Sequence, residues 1–89
     1  MKRMNKDYQG ALANINRAIQ INPNNAYFYA DRGSLKYSIL KDRSGGMKDW
    51  QRSAKMFRQQ GNTKLYKLML DVIKEFKNYW NFWIQNQTV

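Results

Sequence analysis

The sequence predicts an all-helical chain of about four antiparallel helices, and three observations lead there. Apolar residues recur at intervals of three and four over most of the length. No segment alternates with a period of two for long enough to make a strand, and "YFYA" is better served by a helix that continues through it. Finally, "KDYQGALANINRAI" from Lys6 is written again, 35 residues on, as "KDRSGGMKDWQRSA" from Lys41: Lys, Asp, Gly and Arg recur in register, and Ile15 pairs with Trp50. A period of that size marks an array in which each unit buries its apolar face on a neighbour.

The first helix runs from Asp7 to Ile21, with Tyr8, Ala11, Leu12, Ile15, Ala18 and Ile19 on one face. It stops at "NPNN", because Pro23 biases Asn22 away from helical geometry, and Asn24 or Asn25 can cap the next helix. The second helix is predicted from about Ala26 to Leu40. Phe28, Tyr29, Arg32, Gly33, Leu35, Tyr37, Ile39 and Leu40 form its wide apolar sector, opposite a stripe of Tyr27, Asp31, Ser34 and Ser38. Gly inside a helix costs about 1 kcal/mol relative to Ala, so Gly33 points either to close passage of another helix or to flexibility. "KDRSGG" interrupts the pattern and reads as a turn. Met47, Trp50, Ala54 and Phe57 then set out a third helix that stops at Gly61. Asn62 or Thr63 caps the fourth, whose stripe continues through Leu65, Leu68, Met69, Val72, Ile73 and Phe76 to Tyr79, Trp80, Trp83 and Ile84.

At 89 residues the chain has room for one domain with a modest core. Cys and His are both absent, which removes disulfides, the usual zinc ligands and the usual general base. The carboxylates Asp7, Asp31, Asp42, Asp49, Asp71 and Glu75 form no paired acid arrangement, and no Gly-rich phosphate loop or nucleophile with a base occurs. Asp7 and Asp42 hold matching places at helix starts, where capping and the helix dipole account for them. The expectation is a chain that is not an enzyme and takes no cofactor or metal. No apolar run approaches the roughly 18 residues of a membrane span, and no apolar signal segment comes after the basic start. With the lack of Cys, this gives an expected cytoplasmic location. Lys and Arg number 16 against six acids, a formal net charge of +10 that attracts anions. Dividing the chain at residues 20, 45 and 62 leaves equal numbers of basic residues in the four segments, so no polybasic arm stands out.

"YQGALANINRAIQINPNNAYFYADRG" resembles the tetratricopeptide repeat, whose units are pairs of antiparallel helices stacked in a superhelix. Tyr8, Ala11, Ile15, Ala18 and Pro23 match the aromatic, small, bulky, small and proline positions of the family's second helix, and Tyr29 and Gly33 fall on the next first helix. "GMKDWQRSAKMFRQQGNTKLYKLML" resembles the last repeat and closing helix of such arrays, so the likeness covers residues 6 to about 73. It implies repeats within residues 1–62, a half repeat over 6–22 and a full one over 26–60, and then a capping helix with an aromatic tail over 63–89. Ala11, Ala18 and Gly33 would let helix axes approach, while Ile15, Tyr29 and Trp50 fill the spaces between. Two departures stand out. The second unit is one residue longer than the usual 34 or so, and Arg43 and Gly46 stand where an aromatic and an alanine are expected, which predicts a loose start to the third helix. The first unit also lacks its first helix: either the chain is the end of a longer array, or the first helix exposes a face that something else covers.

Arrays of this family bind peptides or short helices on the surface lined by their first helices. The resemblance therefore points to Tyr27, Asp31, Ser34 and Ser38, the stripe that periodicity leaves free of the core; the bland alternative is a solvated face. The pattern by which some members clamp a terminal carboxylate is absent. A second candidate is the tail "FKNYWNFWIQNQ". At about 1.5 Å per residue the fourth helix is about 35 Å long against about 24 Å for the first, so roughly two turns overhang and Tyr79, Trp80, Phe82 and Trp83 make an exposed patch. The alternative is that this helix bends back and uses Trp80 and Trp83 as core. A homodimer in which each tail fills the other's missing-helix face satisfies both.

The expected function is that of a protein interaction scaffold that binds a peptide or helical partner, an acidic one given the net charge. One alternative is nucleic-acid binding through the basic surface, for which affinity would fall steeply with salt. The other is attachment to a membrane surface through the fourth helix, where Trp and Lys suit the interface but Asp71 and Glu75 do not.

Overall fold

A computed structural model describes the backbone of residues 7–85 and the side chains of these except 80 and 83–85. Among the described residues there are four helices and no strand: α1 (Tyr8–Ile21), α2 (Ala26–Ser34) prolonged by a π-helical turn (Leu35–Ile39), α3 (Arg43–Gln59) and α4 (Thr63–Gln85). Each begins at a side-chain cap. Asp7 accepts from the Gly10 amide at 2.8 Å, Asn25 from Tyr27 at 2.9 Å, Asp42 from Gly45 at 2.9 Å and Asn62 from Leu65 at 3.1 Å. These bonds satisfy amides that have no partner within their helices. The repeated Lys-Asp-x-x-Gly is thus a repeated N-cap. Gly61, at φ 77, ends α3 in the left-handed conformation that glycine adopts without strain.

Successive helices pack on one another, α1 on α2, α2 on α3 and α3 on α4. The cross-helix bonds give an antiparallel direction to the α2–α3 pair. Ser53 Oγ donates to the Ala26 carbonyl at 2.8 Å, Trp50 Nε1 to the Ala30 carbonyl at 3.2 Å and to Ser34 Oγ at 3.3 Å, and Gln60 Nε2 to the Asn24 carbonyl at 2.9 Å. At the crossing each helix brings a glycine. A Cβ on Gly33 would stand 2.6 Å from Trp50 Cδ1 and 2.8 Å from the Gly46 carbonyl oxygen; a Cβ on Gly46 would stand 2.7 Å from the Gly33 oxygen and 2.8 Å from Tyr37 Cβ. Of the two readings of Gly33, close passage is the one the geometry has, and Gly46 is its counterpart rather than a misfit.

Tyr37, Trp50 and Phe76 fill the space beside this crossing. Tyr37 stacks on Trp50 with centroids 5.1 Å apart, Phe76 lies 5.2 Å from Tyr37 and 5.3 Å from Trp50, and the Tyr37 hydroxyl donates to the Phe76 carbonyl at 3.2 Å. Ala26, Ala54, Phe57 and Met69 complete the buried cluster. Because α3 lies between α2 and α4, it buries residues along both flanks, whereas α1 packs on α2 and its π-helical turn alone and buries none fully. Ala11, Leu12, Ile15, Ala18 and Ile19 are half-buried, so Ile15 is less enclosed than its sequence counterpart Trp50.

Two expectations are corrected. The second helix does not run as a regular α-helix to Leu40: it widens over Leu35–Ile39, where the Leu40 amide bonds back to the Leu35 carbonyl at 3.0 Å. Ile39, placed by periodicity in the apolar sector, is consequently exposed. Nor is the start of the third helix a turn. Ser44, Gly45 and Gly46 are helical, because Asp42 caps the helix ahead of them and the Gly33 crossing requires a residue without a side chain at 46.

Candidate functional site

The stripe Tyr27, Asp31, Ser34 and Ser38 is exposed along α2 and its π-helical turn, as the periodicity predicts. It is not wholly free of the core. The Tyr27 ring, 55 % exposed, meets Phe57 edge-on at 5.1 Å, and Ser34 Oγ accepts from the Trp50 indole. Asp31 gives the stripe its single charge, which is negative.

On α4 the side chains of Tyr79 and Phe82 are 57 % and 65 % exposed. Leu68, expected in the apolar stripe facing the bundle, is 53 % exposed, because Leu65, Met69, Val72, Ile73 and Phe76 take that side of the helix. At helical spacing Leu68, Asp71, Glu75, Tyr79 and Phe82 line one flank of α4. Trp80 and Trp83, the other two predicted tail residues, continue the helix, and their side chains lie outside the described residues. No helix among the described residues is long and apolar enough to cross a membrane.

A third face did not emerge from the sequence. Of the ionisable residues of α3, the carboxylate Asp49 is buried and turned inward. It accepts from Arg32 through both oxygens, Nε to Oδ2 and Nη2 to Oδ1 at 2.8 Å each, and Lys36 Nζ lies 3.4 Å from Oδ2. Arg32 Nη1 also donates to Asn16 Oδ1 at 2.8 Å, so one guanidinium joins α1, α2 and α3. The hydrogen bonds that Arg32 donates to Asp49 hold its pKa above the ordinary value against the opposing effect of burial. Periodicity placed Arg32 in the apolar sector of the second helix, and it does face inward, with Asp49 as the group that makes this tolerable.

With its acid turned in, α3 presents Lys48, Arg52 and Lys55 outward. These line an open hollow of about 560 Å³ beside Pro23 and Asn24 of the α1–α2 turn. On the other flank of α3, toward α4, two hollows of about 320 Å³ each meet at Gln51. One is rimmed by Arg43, Lys48 and Lys77, and the other by Lys55 and Arg58 over a floor that includes Ala54, Tyr66, Leu70 and Ile73. No acidic residue lines any of the three. The signal was present in the spacing of Lys48, Arg52 and Lys55, four and then three residues apart, which puts them on one face of a helix. Counting charges along the chain dilutes such a face, and the inward turn of Asp49 required a partner on α2.

Compared with protein-family models, with curated proteins and with solved structures, the chain matches none of them.

Proposed function

We propose that this chain is a protein interaction module of the tetratricopeptide type, a short superhelical array with a capping fourth helix, that holds an acidic peptide or helical partner. The observation that carries the reading is the way successive antiparallel helices cover one another through a glycine crossing, Gly33 on Gly46, while the outward faces of α2, α3 and α4 stay open. The repeated N-cap at Asp7 and Asp42 supports a repeat as the underlying unit. The residue by which the second unit exceeds the family's length has a natural home in the π-helical turn, which takes up one residue while Gly33 and Tyr37 both stay buried. The net charge of +10 favours an acidic partner.

The test is a crosslinked pull-down from the native source with the intact chain, a version ending at Tyr79, the double variant Tyr27→Ala, Asp31→Ala and the double variant Lys48→Gln, Lys55→Gln. The reading predicts a discrete protein retained at physiological salt by the intact chain and lost from one of the altered versions. Retention of nucleic acid alone, released as salt rises, would replace it with the nucleic-acid alternative.

A further inference from the structure

We infer that the trough between α3 and α4, rather than the α2 stripe, receives the partner, and that the occupant is an acidic amphipathic helix of a partner protein. This rests on the reading of the chain as an interaction module. The first argument is charge. The α2 stripe carries one negative charge, Asp31, which repels an acidic segment, whereas the hollows along α3 are rimmed by Arg43, Lys48, Lys55, Arg58 and Lys77 without an acid among their lining residues. Like charges suppress and opposite charges steer such an encounter.

The second argument is shape. The two hollows join at Gln51 and track the seam from Arg58 to Arg43, a rise of about 22 Å along α3, enough for about four turns of a partner helix. The third is the floor. Leu70 and Ile73 offer aliphatic surface beneath Lys55 and Arg58, and Leu70 is already 41 % exposed. An amphipathic helix places leucine-like side chains there and its carboxylates on the rim, the helix-in-groove mode of recognition. A phosphodiester strand presents charge all along its backbone and no leucine-sized apolar group to fill that floor. One face of the Tyr66 ring already has the Arg58 guanidinium over it, 5.9 Å from the centroid.

The probe is a fluorescein-labelled peptide of Glu and Leu with its leucines on one helical face, beside a twin in which every Leu is Ser and a labelled single-stranded oligo(dT). Anisotropy is read against the intact chain, Lys48→Gln with Lys55→Gln, Leu70→Ser, and Tyr27→Ala with Asp31→Ala, each checked for native helicity by circular dichroism. The expected result is saturable binding of the Leu peptide that weakens about tenfold in the lysine variant and about tenfold in Leu70→Ser, with amide shifts at Lys55, Leu70 and Ile73. The Ser twin tests the same apolar contact without altering the protein and should bind about tenfold more weakly. Equal affinity for the two peptides, or binding indifferent to the lysines, overturns the proposal. So does oligo(dT) binding that is tighter and depends on the same lysines, which assigns the face to nucleic acid. Loss of the Leu peptide only in the Tyr27, Asp31 variant overturns the trough but leaves the interaction module standing.

Discussion

Gly46→Ala tests the packing on which the fold depends. In an open helix the change is stabilising by about 1 kcal/mol, because Gly is the poorer helix former. Here the new methyl would stand 2.7 Å from the Gly33 carbonyl oxygen, 2.8 Å from Tyr37 Cβ and 2.9 Å from the Tyr37 amide nitrogen. None of these is the far end of a flexible side chain, so α2 and α3 have to move apart by about half an ångström or more to restore ordinary contact. Overpacking of this kind costs about 1–3 kcal/mol. Separation also stretches the bonds from Ser53 to Ala26 and from Trp50 to Ala30, each contributing about 1 kcal/mol. The net expectation is a loss of about 1–3 kcal/mol after the helix-propensity gain, which for a chain of this size lowers Tm by about 4–8 °C per kcal/mol. Urea unfolding monitored by tryptophan fluorescence measures it. Gly45→Ala is the control, since the three atoms nearest its methyl all belong to the Asp42 carboxylate, and a cap loss of about 1 kcal/mol offsets a similar propensity gain. A Gly46→Ala midpoint equal to or above that of the unmodified chain would refute the crossing.

Three further outcomes are expected. Asp49→Asn leaves Arg32 and Lys36 without their carboxylate and lowers unfolding free energy by about 2–3 kcal/mol, less than for a fully buried pair because the Arg32 side chain is partly solvated; an unchanged urea midpoint would contradict this. Ser53→Ala removes a fully buried bond to the Ala26 carbonyl and costs about 1 kcal/mol, with the rest of the helix pair intact by amide shifts. Lys41 holds φ at 62, a conformation that a residue with a side chain adopts at a cost of about 1–2 kcal/mol. Lys41→Gly relieves that strain but gives up unfolded-state order, so a rise of about 0.5 kcal/mol is expected in thermal melting, and a fall would show that the Lys41 side chain contributes contacts.

The helical class, the four elements and the caps were legible because periodicity of three and four and Asp, Asn and Gly at helix ends act locally. The role of Gly33 was legible for a related reason: an unfavourable residue kept inside a helix needs a cause outside it. The π-helical turn and the helical Ser44-Gly45-Gly46 were not legible. In both, the local preference is overruled by the α2–α3 crossing, which has to keep Gly33, Tyr37 and Gly46 together across an extra residue. For the candidate site, the exposure of Tyr27, Asp31, Ser34 and Ser38 was implied by helical spacing, and that of Tyr79 and Phe82 by the length of the fourth helix. The basic face of α3 was not, since it depends on which way Asp49 turns, and that is decided by Arg32 on another helix.

If these helices exist to present an open surface to another protein, that protein must leave the packed interior undisturbed. An amide-shift map of the isotope-labelled chain, recorded with the protein captured in the pull-down, measures this. The expected result is a folded spectrum whose changes fall on exposed faces of α2, α3 or α4 and spare Trp50, Ser53 and Gly46. A captured protein that perturbs the interior as strongly as the surface, or a chain that retains no protein at physiological salt, would contradict the proposed role.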